Sequence, residues 1–548
     1  MTDLVTSAQM RAIERTAFES GVVTGLDLME RAGEGVVAAI QMRWPDAQRV
    51  TVLCGPGNNG GDGFVVARLL REAGCAVRVL AAAVPDRMPP DAAENARRWL
   101  EAGVILPLTR KTLNDPDWGR SDLYVDAIFG TGLSRPPKGD IASVLLRLGG
   151  ASGDGEYYSN RLVAIDAPSG LCLDSGRILL AGESVPHAAL TVTFHCLKAG
   201  HVLSRGPEVC GEVVVHDIGL EPWLRNRKGM NSQEFAWFMA GRTPPLGLVS
   251  PLPFERMNAD ARVGSFMIEA LNKFGRLSEE THKYTYGHAL VLTGGMGRTG
   301  AARLAARAAL RVGAGLVTLG APGGAMLECA AQITALMLRR VEGGGDLAAL
   351  LGDPRITALC LGPGMGVERA AEMLAVVREG GVKPHPTVVV DADGLTALGP
   401  VAAPLPPGWV LTPHGGEFAR LFPDLAAKLT APADTGPAYS KVDATREAAA
   451  RAGCVVLFKG PDTVIAAPDG RAAVHAATGA RAVPWLATAG AGDVLAGLIA
   501  GLCARGLGGF EAACAAAWLH VEAARAFGPG LIAEDLPEAL PGVLRALG

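Results

Sequence analysis

The spacing of apolar and polar positions changes repeatedly along the chain, and the changes predict two alternations of helix and strand. Ser7 to Phe18 and Leu26 to Met42 carry apolar residues at helical spacing with Ser and Asp near their starts, which predicts two helices. Short apolar runs follow at Arg49–Leu53, Ala76–Leu80, Asp122–Ile128 and Leu162–Ile165, with helical patterns such as Phe64–Ala73 and Asp91–Ala102 between several of them. Runs this apolar suit parallel strands buried on both faces, and their alternation with helices implies βαβ units with helices on both sides of a sheet. Strands at Leu190–Phe194 and Glu212–His216 close the first region near residue 220.

From 221 to 280 the pattern degrades. Pro244, Pro245, Pro251 and Pro253 alternate with two short helical segments, Ser232–Met239 and Ser265–Phe274, so a connector with some helix is expected. A second alternation begins at strand His288–Leu292. It continues through helix Ala301–Val312, strands Leu316–Leu319 and Ala358–Leu361, helix Ala370–Arg378, and strands Thr387–Val390, Trp409–Leu411 and Cys454–Phe458. It ends in a helix, Val494–Cys503, that opens near Gly492. No short-period repeat is visible, and the halves read as different αβ units. The expected organisation is a three-layer α/β domain at 1–220, a connector at 221–280 and a second α/β domain at 281–548.

Composition narrows the partners. A chain of 548 residues is too long for one compact unit at roughly 100–200 residues per domain. With 49% hydrophobic and 19% charged residues and a mean hydropathy of +0.24, it has ample material for packed cores. Fifty-one Lys and Arg against 55 Asp and Glu leave a net charge of -4, so no basic excess favours nucleic acid. The uncharged stretch Gly394–Pro413 holds five prolines and cannot be a membrane span, so no membrane partner is expected. Asp3, Arg11, Glu14 and Arg15 interrupt any secretory apolar run, and the ten cysteines form no C-x-x-C pair. Reduced core thiols in a cytoplasmic protein are expected.

Candidate chemistry sits where apolar runs end. Strand Arg49–Leu53 runs into GPGNNGGDG (55–63) and then a helix, a turn in which glycine lets backbone approach an anion at a helix N-terminus. The spacing matches neither G-x-G-x-x-G nor the P-loop. Asn59, Asp126 and Ser169 each lie on the C-terminal side of a predicted strand, and together offer hard oxygen ligands for K⁺ or Mg²⁺. A second backbone-rich turn follows Asp126, and Asp166 ends a buried strand before Pro168 and Gly170.

These motifs, GPGNNGGDG (55–63), DAIFGTGLSR (126–135), DAPSG (166–170), LKAGH (197–201) and HDIGL (216–220), resemble the NAD(P)HX epimerase domain over nearly all of residues 1–220. The resemblance implies a Rossmann-like fold that interconverts the R and S epimers of hydrated NADH and NADPH. It implies that Asn58, Asn59, Gly60, Gly61, Asp62, Gly130, Thr131, Gly132, Leu133, Ser134, Arg135 and Pro136 bind the hydrated nucleotide. It further places K⁺ on Asn59, Asp126 and Ser169 and sets Asp166 at the substrate as a catalytic group. Ala199 stands where the family leads one to expect proline.

In the second half, TAGAGD (488–493) precedes a helix, pairing amides that can hold a phosphoryl group with an Asp that can accept a hydroxyl proton. KGPDT (459–463) and TPHGGE (412–417) follow two other strands. With HKYTYGHALVLTGG (282–295), TGAARLAARAALRVGAGLVT (299–318), LGPGMG (361–366), DADGL (391–395) and GAGDVLAG (490–497), they resemble the ribokinase-like superfamily and, within it, the ADP- or ATP-dependent NAD(P)HX dehydratases. The resemblance implies that Ala301, Gly364, His414 and Asp493 contact the hydrated nucleotide. It assigns Lys459, Gly460, Pro461, Asp462, Thr463 and Gly492 to the adenine nucleotide, which carries Mg²⁺, and makes Asp493 the base. Gly415 stands where the family usually has proline.

Together the halves read as a repair enzyme for NADHX and NADPHX that uses ADP as phosphoryl donor and releases AMP and phosphate, and a homo-oligomer is expected. One alternative is a ribokinase-like small-molecule kinase with a regulatory nucleotide-binding domain. A binding protein that senses NAD(P)H derivatives without turnover is the other.

Overall fold

The computed structural model describes residues 2–150, 153, 155–180, 184–220, 246–249, 282–378 and 386–547. The helices expected at Ser232–Met239 and Ser265–Phe274 lie outside the described residues. Within the 221–280 stretch, Leu246–Leu248 is a strand. The described residues cluster into two compact units; Pro432–Ser440 groups with the first, and the rest of the chain from Leu246 forms most of the second.

The first unit is built on seven parallel strands in the order Ile105–Pro107, Ala76–Ala81, Arg49–Cys54, Leu123–Ala127, Leu162–Ile165, Leu190–Phe194 and Glu212–His216. Side chains alternate across the strands, so Val52, Val79, Val125, Val163 and Val192 enter one core layer while Leu53, Leu80, Tyr124, Leu162 and Ala164 enter the other. Helices Ser7–Glu19 and Gly25–Arg43 start at Thr6 and Thr24, each with a reciprocal capping box. The chain order reverses between Arg49–Cys54 and Leu123–Ala127, and the crevice at such a reversal is where open parallel sheets bind ligands.

Ten strands from Leu246 onward run in the second sheet. Their order is Leu246–Leu248, Ala472–Ala476, Asp462–Ala466, Val455–Phe458, Trp409–Leu411, Thr387–Val390, Ile356–Leu361, His288–Leu292, Leu316–Ala321 and Met337–Arg340. Val455–Phe458 through Met337–Arg340 are parallel, and Asp462–Ala466 is antiparallel to both neighbours. The parallel set has the winding of the first unit, with its reversal between His288–Leu292 and Ile356–Leu361. The hairpin Asp462–Ala466 and Ala472–Ala476 was not expected from the sequence: Asp462 and Thr463, read as turn residues, open a strand. Met337–Arg340 escapes notice because it is a short, largely exposed edge strand.

Two helices stand parallel on one face of this sheet, Gly300–Arg311 and Ala491–Ala504. They approach at Gly497, where an added Cβ would lie 2.1 Å from the Ala305 carbonyl oxygen. This contact aligns both N-termini at the edge where the parallel strands end. Gly497→Val should therefore shift thermal unfolding of the second unit downward, costing at least about 1–3 kcal/mol as overpacked cores do. An unchanged transition would contradict the close packing.

Candidate active sites

In the first unit the motif loops follow five adjacent parallel strands. Helix Asn58–Glu72 begins inside the glycine-rich motif, six residues earlier than the sequence pattern suggested. Glycine is a poor helix former, but here its lack of a side chain lets the first turns pass over the sheet. A Cβ at Gly63 would lie 2.6 Å from the Ala127 Cβ and 2.9 Å from Cys54 Sγ. Asn58 and Asn59 thereby become the first two helical residues, and nothing lies within 4 Å of a Cβ placed on Gly57, so the space ahead of the helix is open. Gly130 brings two elements together: a Cβ there would meet Asp166 Oδ2 at 2.7 Å and Asn59 Oδ1 at 2.9 Å. Gly132, Ser134 and Arg135 are exposed, Pro136 is half-buried, and Leu133 packs on the buried Cys172 and Leu179.

Asp166 is held from every side. Its backbone takes φ 65°, a left-handed conformation that Asp tolerates better than most side chains. The Thr131 amide donates to Oδ2 at 2.9 Å, and the Thr193 hydroxyl donates to Oδ1 at 2.8 Å. Lys198 Nζ stands 2.9 Å from Oδ1 and also donates to Thr193 Oγ1 at 2.7 Å and to the Phe194 carbonyl at 3.0 Å. His201 Nδ1 accepts from the Lys198 amide, so Nε2 carries the proton and donates to the Asp166 carbonyl at 2.8 Å. Burial pushes His201 down to about 4, keeping it neutral. Burial by itself would raise the Asp166 carboxyl, but Lys198 and the Thr193 hydroxyl outweigh it and hold it below the ordinary carboxylate value.

Of the donor set expected to hold K⁺, Asp126 is fully buried and bonded to Ser169, while Asn59 Oδ1 lies by Gly130. Ser169 donates its hydroxyl to Asp126 Oδ1 at 2.6 Å and its amide to Oδ2 at 2.8 Å, while the Phe129 amide donates to Ser169 Oγ at 2.8 Å. Among the described residues no cationic side chain pairs with Asp126, and burial pushes its carboxyl up to about 6. Asn59 Nδ2 is buried without a partner. A buried carboxylate that lacks a counter-charge, beside hydroxyl and amide oxygens, fits a hard monovalent cation. No group of three or more His, Cys, Asp or Glu suited to a metal is found among the described residues, and none of them forms a helix long and apolar enough to cross a membrane.

In the second unit five motif loops follow five neighbouring parallel strands. Helix Ala491–Ala504 is preceded by Gly490 at φ 89°, and the amides of Gly492 and Asp493 come before its first internal bond, from Val494 to Gly490. Burial, with Asp391 next in effect, pushes Asp493 up to about 7 against the lowering influence of Lys459. Lys459 Nζ donates to Asp391 Oδ1 at 2.7 Å and stands 3.6 Å from Glu417 Oε2. Gly492 faces this pair, since a Cβ there would lie 3.5 Å from Lys459 Nζ. Ala392, between Asp391 and Asp393, has φ 46°, a strained backbone that sends Asp391 to Lys459 and Asp393 to the Gly366 amide at 2.8 Å.

The remaining expected contacts lie on the same edge. Gly364 sits on the start of helix Gly300–Arg311, where its Cβ would lie 3.3 Å from the Ala301 methyl. His414 caps helix Gly415–Leu421: its Nδ1 accepts from Gly416, and Glu417 accepts from the His414 amide, so the helix starts without the family's proline. Thr463 Oγ1 donates to the Gly460 carbonyl at 2.7 Å, closing the turn across Pro461, and Lys441 Nζ donates to Asp462 Oδ1 at 2.7 Å.

Sequence reasoning did not single out Glu14, Thr193, Lys198, His201, Asp391, Glu417 or Lys441. Lys198, His201, Asp391 and Glu417 stood inside quoted motifs, but only their contacts mark them. Lys198→Met would leave Asp166 buried without its cation and should destabilise the first unit by about 3–5 kcal/mol. Lys198→Met with Asp166→Asn should recover part of that loss in thermal unfolding; simple addition of the two losses would count against a coupled pair.

A family profile described as "YjeF-related protein N-terminus" matches residues 25–200, and one described as "NAD(P)H-hydrate dehydratase" matches 289–540. The chain is 35% identical over 567 residues to a bifunctional NAD(P)H-hydrate repair enzyme of Moorella thermoacetica, covering 99% of this chain and 97% of that protein. An NAD(P)H-hydrate epimerase of Rhodobacter capsulatus is 43% identical over 227 residues, covering 40% of this chain and all of that protein. A solved ADP/ATP-dependent NAD(P)H-hydrate dehydratase of Bacillus subtilis, co-crystallized with ATP/Mg²⁺, is 27% identical, with a TM-score of 0.40, and covers 50% of this chain and 94% of that one. With two successive domain matches and similarity along nearly its whole length, the chain belongs to the bifunctional NAD(P)H-hydrate repair enzyme family.

Proposed function

We propose that residues 1–220 interconvert the R and S epimers of hydrated NADH and NADPH, and that residues 281–548 dehydrate the S epimer with ADP or ATP as phosphoryl donor. Hydroxide is a poor leaving group at neutral pH. Transfer of a phosphoryl group to the C6 hydroxyl makes it a good one, and elimination assisted by the ring nitrogen then returns NAD(P)H with phosphate. With ADP the other product is AMP. Family membership does not favour a small-molecule kinase with a regulatory domain.

The observation that carries the reading is Asp493. It stands in the first turn of a helix whose free amides suit a transferring phosphoryl group, and its carboxyl titrates near about 7, where it can take a hydroxyl proton. Lys459, Gly460, Pro461, Asp462, Thr463 and Gly492 would contact the nucleotide, whose Mg²⁺ arrives with it. Ala301, Gly364 and His414 would contact the hydrated nicotinamide nucleotide. In the first half the open N-terminus of helix Asn58–Glu72 and the 130–136 loop would hold the substrate, and Asp166 would face its ring. Asn59, Asp126 and Ser169 would hold K⁺, whose charge balances Asp126 and favours an anionic ligand nearby. The ten free cysteines, eight of them buried, agree with a reducing compartment such as the cytoplasm.

Asp493 must be ionised to act, so dehydration should rise with pH through about 7. Asp493→Asn should lower dehydration by at least ~10²-fold and leave epimerisation running, as followed by NADH absorbance and separation of the epimers. Near-normal dehydration would remove Asp493 from its role. Asp126→Ala should abolish the difference in epimerisation rate between K⁺ and tetramethylammonium buffers; a persisting K⁺ effect would move the cation elsewhere.

A further inference from the structure

The first-half site contains more carboxyl groups than the reading above uses. Besides Asp166 there are Asp62, on helix Asn58–Glu72, and Glu14, on helix Ser7–Glu19. Helix Ser7–Glu19 is seated against the second motif loop: Arg11 donates to the Thr131 carbonyl at 3.2 Å, and the amide of that same residue donates to Asp166 Oδ2 at 2.9 Å. Thr131 thus ties the helix to Asp166. Glu14 follows Arg11 by three residues and lies on the same side of the helix. The charged groups it interacts with are Lys198, Asp166 and Arg11, while Asp62 faces both Asp166 and Glu14.

Epimerisation at C6 requires a proton as well as a stabilising anion. Carbon C6 bears both the hydroxyl and ring nitrogen N1. A proton delivered to the hydroxyl lets the C6–O bond break, its electron pair leaving with water, while the N1 lone pair forms an N1=C6 bond. Water then adds to the opposite face, N1 recovers its pair, and the surplus proton returns to the donor. Nothing is consumed. Asp166 is unsuited to be that donor, because Lys198 and Thr193 hold it as a carboxylate; a fixed negative charge instead suits the cationic ring formed midway.

We propose that Glu14, on the helix that Arg11 ties to Thr131 beside Asp166, gives the proton to the C6 hydroxyl and takes it back, an assignment that rests on the reading of this site as the epimerase centre. Two carboxyls whose surroundings drive their proton affinities apart are the usual division between acid and stabilising anion. Burial pushes Glu14 up to about 7, with Lys198 opposing and Asp166 reinforcing, so both of its forms are populated at neutral pH. Burial pushes Asp62 well above its ordinary value, with Asp166 and Glu14 adding to the effect, which favours its neutral form as a hydrogen-bond donor.

The test follows exchange of purified R and S hydrate by the full-length chain, above the uncatalysed background, as a function of pH for wild type, Glu14→Gln, Glu14→Asp and Asp166→Asn. Thermal unfolding of the first unit reports that each variant is folded, and dehydration of pure S hydrate by the same preparations calibrates the amount of chain assayed. Glu14→Gln should lower kcat by ~10²–10⁴-fold with KM within a few-fold and should lose the pH dependence centred near 7, and Glu14→Asp should restore part of both. Loss of rate with that pH dependence intact would make Glu14 structural and overturn the proposal. Wild-type exchange by Glu14→Gln beside an inactive Asp166→Asn would also overturn it while leaving the site in place. Wild-type exchange by both variants would remove the epimerase reading of the site, and the proposal with it.

Discussion

A helix can offer its first amides to a ligand at the edge of a sheet only if its opening turns cross the neighbouring strand without side chains in the way. Both units meet that constraint with glycine. In the first, helix Asn58–Glu72 passes the end of the sheet at Gly63, against Ala127 and Cys54. In the second, helix Ala491–Ala504 is pressed at Gly497 onto the backbone of helix Gly300–Arg311, which sets its N-terminus on the edge where the strands finish. Larger residues at these two points would lift the helices and carry the amides away from the loops. The placement of Asn59 and of Asp493 therefore depends on contacts made well outside the ligand sites.

The charge arrangement of the two units is alike. Each buries a lysine against an aspartate at a strand end, Lys198 with Asp166 and Lys459 with Asp391. Each sets near that pair a second carboxyl whose proton affinity is raised, Glu14 or Asp493. Buried ion pairs are weak evidence for stability, since desolvation offsets much of their attraction. Their effect here is positional and electrostatic. In the first unit Lys198 holds Asp166 as a carboxylate, and in both units burial, reinforced by the charge of the paired aspartate, disfavours ionisation of the neighbouring carboxyl. A base or acid working near neutrality follows from the pairing.

The motif loops were legible because glycine, asparagine and aspartate directly after an apolar run have few roles other than a turn at a strand end. The strands carrying them were legible for the same reason: runs such as Leu162–Ile165 and Val455–Phe458 are apolar at every position. The start of helix Asn58–Glu72 was not, because three glycines within its first six residues argue locally against helix and only packing on the sheet overrides them. Glu14 gave no signal either. A glutamate on an amphipathic helix reads as a solvated side chain until Arg11 is seen on Thr131. Strand order was equally hidden, since nothing in the apolar runs records which neighbours pair. The two units share one winding without any visible sequence repeat.

That winding separates the two ligands proposed for the second unit. Ala301 and Gly364 flank the reversal between His288–Leu292 and Ile356–Leu361, whereas Lys459 follows Val455–Phe458, four strands along the sheet. At about 4.8 Å between neighbouring strands the two places are about 19 Å apart along the edge. Two extended nucleotides can lie side by side over that distance with their reacting ends meeting near its middle. The middle is the end of Thr387–Val390, and Asp391 there reaches Lys459 from one side while Asp393 holds the Gly366 amide on the other. A strained Ala392 allows both at once. The cost of that backbone is understandable if one short loop must fix the donor's lysine and the substrate's loop in register, because a phosphoryl transfer tolerates little error in the distance between them.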